Sequence, residues 1–193
     1  MPRPEVISHL SRLYAECDDP WNHRTSDYEA RKYAQSLDAI GPGPFHHGLE
    51  IGCGIGELSR RLAARCRRLT AMDCIPKAAE AAQSALAHLD HVQVILGTAP
   101  RDLPQIQPDL VVLSEVLYFL TPKEIRELAS WIKAHCRGTV VAVNWTGDTD
   151  EDLTGHMAAE LLAAHLLVTR TLIYPNFRVD LFHCNKSFTR SQP

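Results

Sequence analysis

Apolar and polar positions change rhythm near residue 41. Before it, Val6, Ile7, Leu10, Leu13 and Tyr14 fall at helical spacing, which predicts a helix over 6–16. Cys17-Asp18-Asp19-Pro20-Trp21 breaks that pattern, because Pro20 has no amide to continue a helix. Ser26, with Glu29 three positions on, reads as a capping box opening a second helix that runs to about Ala39. Gly41-Pro42-Gly43-Pro44 ends it.

Beyond that turn, short apolar runs alternate with amphipathic stretches. Strands are predicted at 47–51, 68–72, 92–96, 109–113 and 139–144, and helices at about 56–65, 76–89, 122–134 and 152–166. Two alternating segments, 168–173 and 177–183, flank Tyr174-Pro175-Asn176 and read as a hairpin. Strands interleaved with helices predict an α/β fold, a doubly wound, mostly parallel seven-stranded sheet with a C-terminal antiparallel hairpin. The expected organisation is a single domain, 1–193, with 1–40 as an N-terminal helical lid and 41–193 as the α/β core. In such a sheet the ligand lies beyond the carboxyl ends of the strands, beside the first strand.

Composition narrows the function. At 193 residues the chain suits one core. A formal charge of −3 argues against a dedicated nucleic-acid binder, which needs a basic surplus. Six scattered cysteines form no Cys-x-x-Cys and suggest reduced thiols and no metal site. The first ten residues lack the apolar run of a signal peptide, and 110–120 is too short to span a membrane. The expectation is a cytoplasmic protein with no membrane partner.

The chemistry concentrates at strand ends. Glu50-Ile51-Gly52-Cys53-Gly54-Ile55-Gly56 closes the first strand and opens the next helix. Its glycines permit a sharp turn and close backbone approach to a ligand. The third comes one residue sooner than in the dinucleotide fingerprint, and Glu50 would serve a ligand amino group better than a pyrophosphate. A simple tight turn is the plain alternative. Asp73 ends the second strand, placed either to accept ribose hydroxyls or to cap the helix at Pro76, and both roles can hold together.

Glu50, Gly52, Gly54, Gly56 and Asp73 together resemble the cofactor motifs of class I methyltransferases, which have a Rossmann-like fold. The resemblance implies S-adenosyl-L-methionine as cofactor. It puts the glycine loop at the methionine portion, Asp73 with its neighbour Cys74 at the ribose, and Thr98 and Ala99 at the adenine. Many relatives carry an Asp near the last position, where this chain has Gly97-Thr98-Ala99. Asp19-Pro20-Trp21, Tyr28-Glu29 with Lys32-Tyr33, Leu49 to Cys53, and Leu113-Ser114-Glu115-Val116-Leu117-Tyr118 more closely resemble the nodulation-protein-S group of small N-methyltransferases. That likeness runs from about residue 10 to 145.

The resemblance implies a small-molecule acceptor such as the amino group of a chitin-derived oligosaccharide, and places Ser114 to Tyr118 beside the transferred methyl. Glu115 is a candidate to orient a cationic amine or take its proton, and Tyr118 to hydrogen-bond or stack on a sugar; alternatively, Glu115 caps the helix near Pro122. Trp21 and Arg31 on the lid are candidates to cover the cofactor and meet its carboxylate. Trp145 and, more weakly, His156 fall on the acceptor side. The run Arg60, Arg61, Arg65, Arg67 and Arg68 reads as a solvated helix face. An O-methyltransferase, an NAD-type oxidoreductase and a non-catalytic cofactor-binding module are the competing functions.

Overall fold

The computed structural model describes residues 4–184. Two helices come first, α1 (Pro4–Glu16) and α2 (Asp27–Ile40). The alternating part follows: β1 (Gly48–Ile51), α3 (Glu57–Ala63), β2 (Leu69–Asp73), α4 (Pro76–Leu86), β3 (Val92–Leu96), β4 (Leu110–Ser114), α5 (Pro122–His135), β5 (Thr139–Trp145), α6 (Gly155–Ala163), β6 (Leu167–Ile173) and β7 (Phe177–His183). The seven strands form one sheet in the order β3-β2-β1-β4-β5-β7-β6. Pairing is parallel from β3 through β5, and β7 runs antiparallel to both β5 and β6. This is the expected doubly wound sheet with its terminal hairpin. Strand order reverses between β1 and β4, which opens a crevice at their carboxyl ends.

Strand alternation divides the core into two layers. Leu49, Ile51, Val111, Leu113, Val140 and Ala142 join α5 and α6 on one face. Leu110, Val112, Val141 and Val143 join α2 and α3 on the other. Burial on both faces explains why β4 and β5 read as continuous apolar runs. A third cluster docks α1: Val6, Leu10 and Tyr14 pack on Ile55, Ile75 and Ala78, setting the first helix across the glycine loop.

Local chemistry fixes the helix starts. Thr121 and Glu124 form a reciprocal capping box ahead of α5, with Pro122 in its first turn. Here the alternative role for Glu115 fails, since it does not cap that helix. Ser26 caps α2 by accepting from the Glu29 amide at 3.3 Å, but the Glu29 carboxylate turns to His23 and Lys32 instead of closing a box. α6 is shorter than the predicted 152–166 because Thr154 caps it, accepting from the Met157 amide. A 3-10 turn at Leu117–Phe119, absent from the sequence reading, bends the chain after β4.

Leu128 is fully buried in the α5 layer, far from the strand-end crevice in sequence. Leu128→Ala should lower unfolding free energy by about 2–5 kcal/mol through lost transfer energy and a residual cavity. Urea titration checks this, and an unchanged midpoint would contradict the assigned core.

Candidate active site

The crevice is the mouth of a cavity of about 680 Å³, within the range that holds small ligands and cofactors. Its floor is the β1–α3 loop with the ends of β2 and β4, and α1 and α2 form its roof. Gly52 starts the loop at φ +85°. A Cβ there would collide with the Ser114 carbonyl and the Val116 side chain, so only glycine lets β1 and β4 lie this close. The Gly52 and Cys53 amides both donate to the Met72 carbonyl, which locks the loop to β2.

Two acidic groups face this loop. Asp73 accepts the Gly54 amide at 2.8 Å through Oδ2 and the Ile75 amide at 2.9 Å through Oδ1. Burial pushes its carboxyl up to about 6, against the pull of those amides. Glu50 is fully buried at the centre of β1. Its Oε2 accepts the Ser59 hydroxyl at 2.6 Å, whereas Oε1 has no hydrogen-bond partner among the described residues. Burial pushes Glu50 up to about 8; Ser59 offsets part of that rise and the charge on Asp73 adds to it. A buried carboxyl oxygen left unpartnered beside a cavity has unused hydrogen-bonding capacity.

A second polar cluster lies across the cavity and ties the roof to the sheet. Lys32 Nζ, on α2, sits 2.9 Å from Glu29 Oε1 and 2.9 Å from Glu115 Oε1. Glu115 Oε2 accepts the Trp145 amide at 2.6 Å and the Tyr118 hydroxyl at 3.0 Å. Glu115 holds this pose at φ +58°, a conformation that non-glycine residues rarely adopt. On the outer side, His23 Nδ1 lies 3.3 Å from Glu29 Oε2 and 2.8 Å from the Tyr33 hydroxyl. Burial works against the Lys32 charge, but Glu115 and Glu29 outweigh it and raise its pKa. Burial would likewise raise Glu29, but the His23 hydrogen bond and the Lys32 charge hold it below its ordinary value. Tyr118 is driven well above its ordinary value by burial and by Glu115.

Among the sequence candidates, Glu50, Gly52, Gly54, Asp73, Cys74, Thr98, Ala99, Ser114, Glu115 and Tyr118 all line this one cavity. Trp21 stands at its mouth, 40% exposed, with its ring 5.5 Å from Tyr14. Three candidates fall outside. Arg31 points to solvent, because α2 buries Tyr33, Leu37 and Ile40 and so turns position 31 to the opposite face. Gly56 meets α4 instead of the cavity; a Cβ there would press on Ala82 and Leu86. His156 also lies elsewhere, exposed and 3.1 Å from an Arg178 nitrogen.

Tyr14 and His23 are site residues that the motif reading passed over, and Glu29 and Lys32 entered it only as marks of the family, with no role in the site. For α2 the signal was available: Glu29, Lys32 and Ser36 recur at i, i+3, i+7, flanking the apolar stripe. Asp148, Asp150 and Glu151 add an acidic rim near Trp145. Among the described residues no group of three or more His, Cys, Asp or Glu is placed to hold a metal ion. None of the helices there is long and apolar enough to cross a membrane.

Comparison with known proteins bears on this geometry. Residues 4–136 match the family model of nodulation protein S. Nodulation protein S of Sinorhizobium fredii is 31% identical over 113 residues, covering 58% of this chain and 52% of that protein. Its counterpart in Bradyrhizobium diazoefficiens is 36% identical over 104 residues, 53% of this chain and 50% of that one. The chain thus spans about half the length of these relatives. The crystal structure of the N-methyltransferase NodS from Bradyrhizobium japonicum WM9 with S-adenosyl-L-homocysteine superposes with a TM-score of 0.81. It is 22% identical, with 94% of this chain and 99% of that chain covered, and it shares the class I methyltransferase fold.

Removing the cation from the Lys32 cluster should be strongly destabilising. Lys32→Met leaves Glu29 and Glu115 without their cation and should cost about 3–5 kcal/mol. The loss should be full between the ordinary carboxyl and ammonium values, 4.5 and 10.5. It should shrink in acid as Glu29, held low in the fold, becomes protonated, and in strong alkali as Lys32, held high, loses its proton. Unfolding at a series of pH values checks this; a loss independent of pH would contradict the electrostatic assignment.

Proposed function

The chain belongs to the nodulation protein S family, and from that premise we propose that it is an S-adenosyl-L-methionine-dependent methyltransferase that N-methylates a small amine, such as an amino sugar or chitooligosaccharide. The observation that carries this reading is the pair of acids facing the glycine loop, buried Glu50 with an unpartnered oxygen and half-buried Asp73, at the switch point of the sheet. Glu50 Oε1 suits the ammonium of the cofactor's methionine portion, and Asp73, with lone pairs left beyond its two amide bonds, suits the ribose hydroxyls. Lining the same cavity, Thr98 and Ala99 suit the adenine, Cys74 beside Asp73 suits the ribose, Ser114 borders the loop, and Trp21 covers the mouth. Within a single domain, residues 4–40 serve as the lid and 41–184 as the core, the rest of the expected 1–193 span lying outside the described residues. A cytoplasmic location and the absence of a nucleic-acid partner belong to the same proposal.

When bound, the cofactor supplies a methyl group already activated on a sulfonium. The chain's own task is to orient the acceptor for in-line attack and to keep water out, which the roof of α1 and α2 favours. Tyr118 gives its single proton to Glu115, so towards the cavity its oxygen accepts hydrogen bonds and favours an N–H donor. Both Glu115 oxygens are engaged, which suits a scaffold better than a free base. A neutral amine needs no dedicated base, whereas a hydroxyl acceptor does. The acidic rim of Asp148, Asp150 and Glu151 favours approach of a protonated amine, which gives its proton to solvent before the neutral nitrogen attacks.

Thermal unfolding should shift upwards with S-adenosylhomocysteine and not with NAD, and Asp73→Ala should weaken S-adenosylhomocysteine binding by roughly tenfold or more. Methyl transfer to deacetylated chitooligosaccharide, followed by product analysis, tests the acceptor. An O-methyl ether as the product would overturn the amine reading, and stabilisation by NAD alone would overturn the cofactor.

A further inference from the structure

We infer that the free protein carries a proton on Glu50 Oε1 which the cofactor's ammonium displaces, so that cofactor binding releases a proton to solvent. The inference rests on the cofactor assignment above and concerns how the chain keeps its empty site stable.

Neutral groups and a second acid surround Glu50. From α3, Ser59 gives Oε2 a hydrogen bond from a neutral hydroxyl. From the β2 end comes Asp73, a second acid that makes ionisation of Glu50 harder. The loop supplies the Cys53 thiol, and α2 supplies the Tyr33 phenol, both neutral because burial raises their pKa values. Cys66, beyond α3, is likewise held neutral by burial. Arg61 of α3 and Lys32 of α2 are both engaged elsewhere. Arg61 lies over the Tyr33 ring at 5.0 Å and binds Glu57, while Lys32 is held between Glu29 and Glu115.

An ionised Glu50 would therefore sit in the interior with one oxygen bare and an acid beside it. That is the arrangement in which a buried carboxyl keeps its proton. The direction of its shift, up to about 8, agrees with the geometry. The sign follows directly. Between its ordinary 4.5 and about 8 the unfolded chain has released this proton while the folded chain retains it. Folding of the empty protein therefore weakens as pH rises through that window. A ligand ammonium at Oε1 reverses the balance, since the pair is stable only with the carboxylate ionised. The displaced proton leaves for solvent, and affinity must rise with pH over the same range. A ligand that lacks the ammonium has no means of ionising Glu50.

Isothermal titration of the whole protein with S-adenosylhomocysteine tests this, at about pH 7 in buffers of differing ionisation enthalpy. The slope of observed heat against buffer enthalpy should correspond to release of about one proton, and Kd should fall about tenfold from pH 6 to 7. Glu50→Gln, which keeps the shape and the Ser59 hydrogen bond, should abolish the proton release. 5′-Methylthioadenosine, which has no ammonium, should bind without releasing a proton. Binding of S-adenosylhomocysteine with no proton exchange in the unmodified protein overturns the inference, whether or not the variant folds. Release that persists in Glu50→Gln overturns its assignment to Glu50. If S-adenosylhomocysteine does not bind at all, the cofactor reading itself fails and takes this inference with it.

Discussion

Burying a carboxyl without a counter-charge costs several kcal/mol if it is ionised, and this fold does so at the centre of its first strand. Glu50 has no exposed surface and one oxygen without a partner. Such a group persists in a stable core only if it stays protonated or if something cationic comes to it. On the proposed reading the protein uses both in turn, a proton in the empty site and a ligand's cation in the filled one. Gly52 brings the loop tight against β4, Asp73 pins the Gly54 amide, and the cavity opens where the sheet order reverses. The expense at Glu50 becomes binding specificity once a ligand is in place.

The opposite wall solves the same problem differently. There two carboxylates are buried with a cation of the chain's own, and Lys32 joins the roof helix to the turn after β4. Glu115 also binds the Trp145 amide and the Tyr118 hydroxyl, so roof, β4 and β5 share one polar node. Acceptor-side geometry and lid placement are therefore coupled. A change at Lys32 reaches Tyr118 without touching it.

Much of this was legible in the sequence, for identifiable reasons. Parallel strands buried on both faces leave unbroken apolar runs, and the capping residues Ser26 and Thr121 leave local marks that need no tertiary context. Glu50, the glycines and Asp73 stand out because their spacing is tied to one turn. Arg31 was misplaced because a guanidinium is the more obvious carboxylate partner, whereas helical phase decides which of two adjacent cations faces inwards. Gly56 fits the motif by spacing but answers to the packing of α4. The Glu29–Lys32–Glu115 node joins residues more than 80 positions apart, and nothing local at either end specifies the meeting.

The central claim is that the glycine-loop cavity holds S-adenosylmethionine with its ammonium on Glu50. A crystal structure of the protein grown with S-adenosylhomocysteine tests it most directly. The account predicts the ligand's amino nitrogen within hydrogen-bond reach of Glu50 Oε1 and its ribose hydroxyls on Asp73. A ligand bound outside this cavity, or inside it with the ammonium turned away from Glu50, would contradict it.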